Sequence, residues 1–76
     1  MMSLEKLNKY IETLYESSVS YYKKLNRSPS LNEHSREKLA SMAINPHLAE
    51  LTKKIELSEG EINLLMKETT RRLLNS

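Results

Sequence analysis

The apolar residues at the start of the chain recur every three or four positions, and this spacing restricts the chain to helical folds. The repeat runs for three heptads over the first 25 residues and is interrupted only by Ser18. An α-helix has about 3.6 residues per turn, so this spacing places the apolar side chains on one face. We therefore predict a long N-terminal helix over about residues 3–26. Its apolar ridge consists of Leu4, Leu7, Ile11, Leu14, Tyr21 and Leu25.

Serine, asparagine and proline mark the ends of further predicted helices. The segments 30–33 and 58–61 both have the pattern of a capping box. In this motif a serine hydroxyl accepts from a backbone amide and a glutamate accepts from the serine amide. Asn45–Pro46 has the pattern of a new helix start, because proline is favoured at the first helical position. These signals predict three shorter helices, over about residues 31–44, 46–56 and 59–74.

The length and composition of the chain predict a single all-α domain with a small core. The 76 residues contain no Phe and no Trp, and only 38% are hydrophobic. The absence of cysteine excludes disulfide cross-links and thiol chemistry. We therefore predict one bundle of four helices over residues 1–76. Because domains of this size usually need additional stabilisation, the composition also favours self-association or binding to a partner.

The charge and hydropathy patterns predict where the protein works. Twelve basic and ten acidic residues give a net charge of +2, which is too small for a typical polybasic protein. No apolar run approaches the roughly 20 residues that cross a bilayer, and the N-terminal residues lack the apolar region of a secretory signal. We predict a cytoplasmic protein without membrane contact. Its high content of lysine, asparagine and leucine suggests a bacterial or phage origin.

The four tyrosines all lie in the predicted first helix. Tyrosine is favoured in helix packing and at protein interfaces, because its ring can be buried while its hydroxyl stays hydrated. Our leading hypothesis is a small non-enzymatic regulatory or adaptor protein that binds a partner protein, or a second copy of itself, through a helical face. The candidate interface residues are Tyr10, Leu14, Tyr15, Tyr21 and Tyr22.

The segment Leu51–Met66 resembles a helix-turn-helix DNA-binding motif. The apolar framework positions of that motif are occupied here by Leu51, Ile55, Leu57, Ile62 and Leu65. Glu56 stands where the turn of the motif usually has glycine. The resemblance implies, as an alternative, a transcriptional regulator whose second helix enters the major groove of duplex DNA. The residues that would contact DNA are Ser58, Asn63, Lys67, Arg71 and Arg72.

Two histidine–glutamate pairs have the spacing of some helical metal sites. His34 and His47 each precede a glutamate by three residues. A di-metal site in a helical bundle needs further glutamates that project inward from facing helices, and the sequence does not provide them. It also lacks a glycine-rich phosphate loop and an evident catalytic triad. We therefore predict no metal, no cofactor, no small-molecule substrate and no enzymatic activity.

Overall fold

The computed structural model of the protein describes residues 3–76, and the regular structure of these residues is helical. The prediction of an all-α protein is confirmed, whereas the prediction of four helices is wrong. The described residues form three α-helices and one short 3-10 segment between the first two. These elements are α1 (Leu4–Asn26), the 3-10 segment (Pro29–Leu31), α2 (Arg36–Lys54) and α3 (Glu59–Leu74).

The predicted helices over residues 31–44 and 46–56 are one continuous helix, α2, and Pro46 lies inside it. A proline within a helix removes one backbone hydrogen bond and crowds the preceding turn. Here Pro46 is exposed, so its ring lies on the solvent side of the helix and does not interrupt the buried face. Ile44 and Leu48, on either side of the proline, are both buried in the same core. Burial of one continuous apolar face therefore outweighs the local penalty.

The predicted capping box at residues 30–33 does not start a helix. Ser30 lies in the 3-10 segment, and its hydroxyl is 3.0 Å from the hydroxyl of Ser28. Helix α2 begins instead at Arg36, and the Ser35 hydroxyl accepts from the Lys38 amide at 3.1 Å. The chain uses the intervening residues to reverse direction between α1 and α2, and Leu31 packs against the core there. The helix consequently starts five residues later than predicted.

Helices α1 and α3 match their predicted bounds to within one residue. The Ser3 hydroxyl accepts from the Lys6 amide at 3.2 Å and caps α1. At the start of α3 the predicted capping box is complete. The Ser58 hydroxyl accepts from the Glu61 amide at 3.1 Å, and the Glu61 carboxylate accepts from the Ser58 amide at 2.8 Å. Both starts depend only on residues within one helical turn.

The buried face of α1 differs from the predicted ridge at both ends. Leu4 is 73% exposed and Tyr21 is 47% exposed, whereas Tyr22 is only 2% exposed. A straight α-helix drifts by about 20° per heptad relative to a strict seven-residue repeat. After Ser18, this drift brings position 22 closer to the core than position 21. The core therefore takes its aromatic ring from Tyr22.

The core is formed by all three helices and contains two buried polar side chains. Its apolar members are mostly leucine, with Tyr22 as the only fully buried ring. The hydroxyls of Ser18 and Thr69 are also buried, and neither has a hydrogen-bond partner within residues 3–76. Burial of an unpaired hydroxyl costs free energy, so this small core is less stabilising than its apolar area alone indicates.

Arg36 connects the three helices at one end of the bundle. Its Nε donates to the Tyr22 hydroxyl at 3.2 Å, and its Nη2 donates to the Leu74 carbonyl at 3.0 Å. The end of α1, the start of α2 and the end of α3 therefore lie together. Helix α2 runs antiparallel to α1 and α3, and the bundle measures 41 × 22 × 18 Å.

Candidate protein-binding site

The five candidate interface residues on α1 have different environments. Leu14 and Tyr22 are each 2% exposed and belong to the core, so a partner cannot reach them without opening the bundle. Tyr10 and Tyr15 are half-buried and pack against the core. Tyr21 is the most accessible of the five. The accessible aromatic surface of α1 is therefore provided by three tyrosines.

Tyr10 and Tyr21 lie on the same flank of α1. They are eleven residues apart, which corresponds to about three helical turns and roughly 16 Å along the helix axis. Tyr15 lies on the other flank of the buried ridge. Two of the three accessible tyrosines therefore border one surface of the bundle.

A groove lies between α2 and the part of α1 that separates Tyr10 from Tyr21, and neither tyrosine is among its lining residues. Its volume is about 190 Å³, and it is lined by Thr13, Leu14, Ser17, His47, Glu50, Leu51 and Lys54. Tyr10 precedes Thr13 by one turn on α1, and Tyr21 follows Ser17 by one turn. We call this surface, with its two flanking tyrosines, the α1–α2 groove.

The floor of the α1–α2 groove is apolar and its rim is polar. Leu14 is buried and Leu51 half-buried, whereas most of the other lining residues are exposed. The Thr13 hydroxyl donates to the Lys9 carbonyl at 3.0 Å, and Lys53 Nζ lies 3.4 Å from Glu50 Oε1 in an exposed ion pair. An apolar centre with a polar rim is the usual organisation of a protein interface.

Some rim residues have no partner within the part of the chain that the structure describes. Ser17, His47 and Lys54 make no side-chain hydrogen bond or ion pair there. Each can therefore bond to a ligand without first breaking an intramolecular contact. A partner with a hydroxyl, amide or carboxylate group could use all three.

The α2 side of this groove was not predicted from the sequence. The missed residues are His47, Glu50, Leu51 and Lys54, which follow one another at intervals of three or four. That spacing places the four residues on one face of a helix, and it is the feature of the sequence from which this side of the groove could have been predicted. All four residues lie within the predicted helix 46–56, but the sequence does not show that this face of the helix packs beside α1.

The residues predicted to contact DNA lie on or next to α3. Asn63, Lys67 and Arg72 are exposed. Ser58 is exposed but its hydroxyl is used in the capping box, and Arg71 Nη2 lies 2.6 Å from Glu68 Oε1. No residue from 3 to 76 has a positive φ angle, so Glu56 does not adopt the conformation that glycine provides in the usual motif.

Residues 3–76 contain neither a metal-binding cluster nor a membrane-spanning helix. No group of three or more His, Asp or Glu side chains within residues 3–76 is arranged to hold a metal ion. None of the helices in this part of the chain combines the length and apolar character that a membrane span requires.

In comparisons with known proteins, no protein-family model, curated protein or solved structure matches this chain.

Proposed function

We propose that this chain is a small, non-enzymatic regulatory or adaptor protein that binds a partner protein at the α1–α2 groove. The observation that carries the proposal is the position of Tyr10 and Tyr21, which remain accessible on either side of an apolar-floored groove. Accessible aromatic side chains beside a pocket are common energetic centres of protein interfaces.

The size of the groove supports an anchor side chain as its occupant. Sites for drug-sized ligands usually enclose about 300–1,000 Å³. The α1–α2 groove, at about 190 Å³, is smaller, and it suits one large apolar side chain presented by a partner. The exposed rim would then pair with polar groups around that anchor. A helix of the partner, or of a second copy of this chain, could supply it.

Site-specific photocrosslinking in source cells tests the proposal directly. A photoreactive phenylalanine analogue at Ser17 should crosslink to a protein, because this exposed position lines the groove. The same analogue at Ser20, an exposed α1 position that does not line the groove, is the matched control. Absence of a protein adduct at Ser17, or equal adducts at both positions, would contradict the proposal.

Substitutions then measure the contribution of the groove. Ser17→Arg should block the groove, whereas Ser20→Arg adds the same charge outside it. Tyr21→Ala should weaken binding to the crosslinked partner by about 2 kcal/mol, as loss of an aromatic anchor does. Isothermal titration with that partner provides the affinities. Sedimentation of the wild-type chain shows whether the partner is a second copy.

The helix-turn-helix resemblance provides an alternative function, binding of duplex DNA, and substitutions distinguish it from protein binding at the α1–α2 groove. If α3 contacts duplex DNA, joint replacement of Asn63 and Lys67 by alanine should abolish duplex binding and leave the fold intact, because both side chains are exposed. Binding at the α1–α2 groove should be unaffected by that double variant.

A further inference from the structure

Three basic segments of the chain meet at one end of the bundle. They lie at the end of α1, the start of α2 and the end of α3, which the hydrogen bonds of Arg36 hold together. We call this region, residues 20–38 and 68–76, the Arg36 end. Its basic residues are Lys23, Lys24, Arg27, Arg36, Lys38, Arg71 and Arg72.

The Arg36 end is strongly positive although the whole chain is nearly neutral. It contains seven basic residues and three glutamates, a net side-chain charge of +4. The rest of the chain has five basic and seven acidic residues, a net charge of −2. The bundle is therefore polarised along its 41 Å axis. Its overall charge of +2 conceals this separation.

Intramolecular contacts account for only some of the cations at the Arg36 end. Arg36 donates to two other helices, Arg71 pairs with Glu68, and Arg27 Nε donates to the Lys23 carbonyl at 3.2 Å. The other four cations are exposed and have no side-chain hydrogen bond or ion pair within residues 3–76. These are Lys23, Lys24, Lys38 and Arg72.

The helix dipole does not explain the whole cluster either. Cations are favourable at helix C-termini, which suits Lys23, Lys24 and Arg72. Lys38 lies in the first turn of α2, where the dipole disfavours a positive charge. An external anion would stabilise cations at both kinds of helix end.

Tyr21 adds an accessible ring to the Arg36 end. It is 47% exposed and lies one helical turn before Lys24 on α1. Exposed aromatic rings beside cations are how many proteins bind single-stranded nucleic acids. The ring stacks on an unpaired base while the cations contact the phosphates.

We propose that the Arg36 end binds single-stranded nucleic acid, a function beyond protein binding at the α1–α2 groove. Lys23, Lys24, Lys38 and Arg72 hold successive phosphates, and Tyr21 stacks on one base. The bundle cross-section of 22 × 18 Å is small for a stable protein interface, which buries about 800 Å² per partner. It is adequate for a few nucleotides, and the net negative remainder disfavours a polyanion that lies along the bundle.

Fluorescence anisotropy with a labelled twelve-nucleotide oligo(dT) tests this proposal on the full chain. The double variant Lys23→Glu with Lys24→Glu should weaken binding at least about tenfold at low salt. The control is Lys6→Glu with Lys9→Glu, which reverses two exposed lysines of the same helix at the opposite end. Both double variants change the net charge equally, so the control should lose no more than about threefold.

Two further measurements identify the mode of binding. With four phosphate contacts to a single strand, the logarithm of the association constant should fall with the logarithm of salt concentration with a slope near −3. Tyr21→Ala should weaken binding of oligo(dT) by about tenfold and leave any weak binding of a duplex of the same length unchanged. Melting curves and circular dichroism show whether each variant is folded. If Lys23→Glu with Lys24→Glu unfolds, the double variant Lys23→Gln with Lys24→Gln takes its place.

Several results would overturn the proposal. One is the absence of oligo(dT) binding at low salt. Another is an equal loss of affinity in both double variants, because that result would show an effect of net charge alone. Duplex affinity equal to that for oligo(dT), together with no effect of Tyr21→Ala, would exclude base stacking. Equal affinity for a twelve-residue poly-L-glutamate would indicate an acidic protein segment as the ligand.

Discussion

The two ends of the bundle are stabilised in different ways. At the Arg36 end, one guanidinium group bonds to residues that are 14 and 38 positions away in the sequence. At the opposite end, which we call the Ser58 end (residues 54–61), the described hydrogen bonds of the capping box join residues three positions apart. The first arrangement exists only when the bundle is assembled, whereas the second can form in an isolated helix.

This difference separates cooperative from local stability. Loss of the contacts at the Arg36 end should reduce the free energy of unfolding of the whole bundle. Loss of the capping box should first loosen the start of α3, because backbone amides in the first turn then lose their hydrogen-bond acceptors. Substitutions at each end, measured by denaturant unfolding and by hydrogen exchange, can test this distinction.

The largest effect is expected at Tyr22. Tyr22→Ala removes a ring that is 2% exposed and should cost about 3–5 kcal/mol of unfolding free energy, as truncation of a buried aromatic does. Tyr21→Ala, at the neighbouring and more exposed position, should cost well under half as much. Urea unfolding followed by circular dichroism measures both. A larger loss of unfolding free energy for Tyr21→Ala than for Tyr22→Ala would mean that Tyr21, and not Tyr22, fills the core.

Arg36→Ala should have an intermediate effect. It removes the bonds to the Tyr22 hydroxyl and the Leu74 carbonyl, and we expect a loss of about 1–2 kcal/mol, reduced by the exposure of Arg36. Lys38→Ala is the control, because this exposed side chain has no partner among residues 3–76, and its loss should change stability by less than about 0.5 kcal/mol.

A double-mutant cycle tests whether Arg36 acts through Tyr22. In a Tyr22→Phe background, which keeps the ring and removes the hydroxyl, Arg36→Ala should cost less than in the wild type. Strict additivity of the two changes would show that the bond between these side chains contributes nothing to stability.

Apart from the control substitutions, Ser58→Ala should have the smallest effect, about 1 kcal/mol, because it removes one capping hydroxyl. The matched control is Ser20→Ala, at an exposed position inside α1, where alanine should be neutral or slightly stabilising. Hydrogen exchange should accelerate in the first turn of α3 before it does at the Arg36 end. Equal acceleration throughout the bundle would show that the Ser58 end is not locally stabilised.

Those features that depend on neighbouring residues could be predicted from the sequence. The bounds of α1 and α3 follow from apolar spacing and from caps that act within one helical turn. The same local reasoning failed at Ser30 and Pro46, because both have the pattern of a helix start. A capping pattern cannot show that the chain needs those residues to reverse direction, or that core burial carries a helix through a proline.

The candidate sites also depend partly on local sequence and partly on tertiary packing. The tyrosines of α1 could be identified from the sequence, but it could not show that Tyr22 is buried and Tyr21 accessible. That choice depends on the drift of a straight helix against its neighbours. His47, Glu50 and Lys54 share one helical face, but only the packing of α2 against α1 brings that face to the α1–α2 groove.

The sequence by itself determined an all-α chain, two of its helices and a nearly neutral net charge. Only the tertiary structure decided which charges lie together, because three basic segments separated by up to 49 positions meet at the Arg36 end. Periodicity and capping depend on residues that are close in the sequence and can therefore be recognised from the sequence alone. The packing of antiparallel helices determines how distant charges are placed, and that packing depends on the burial of all three apolar faces at once.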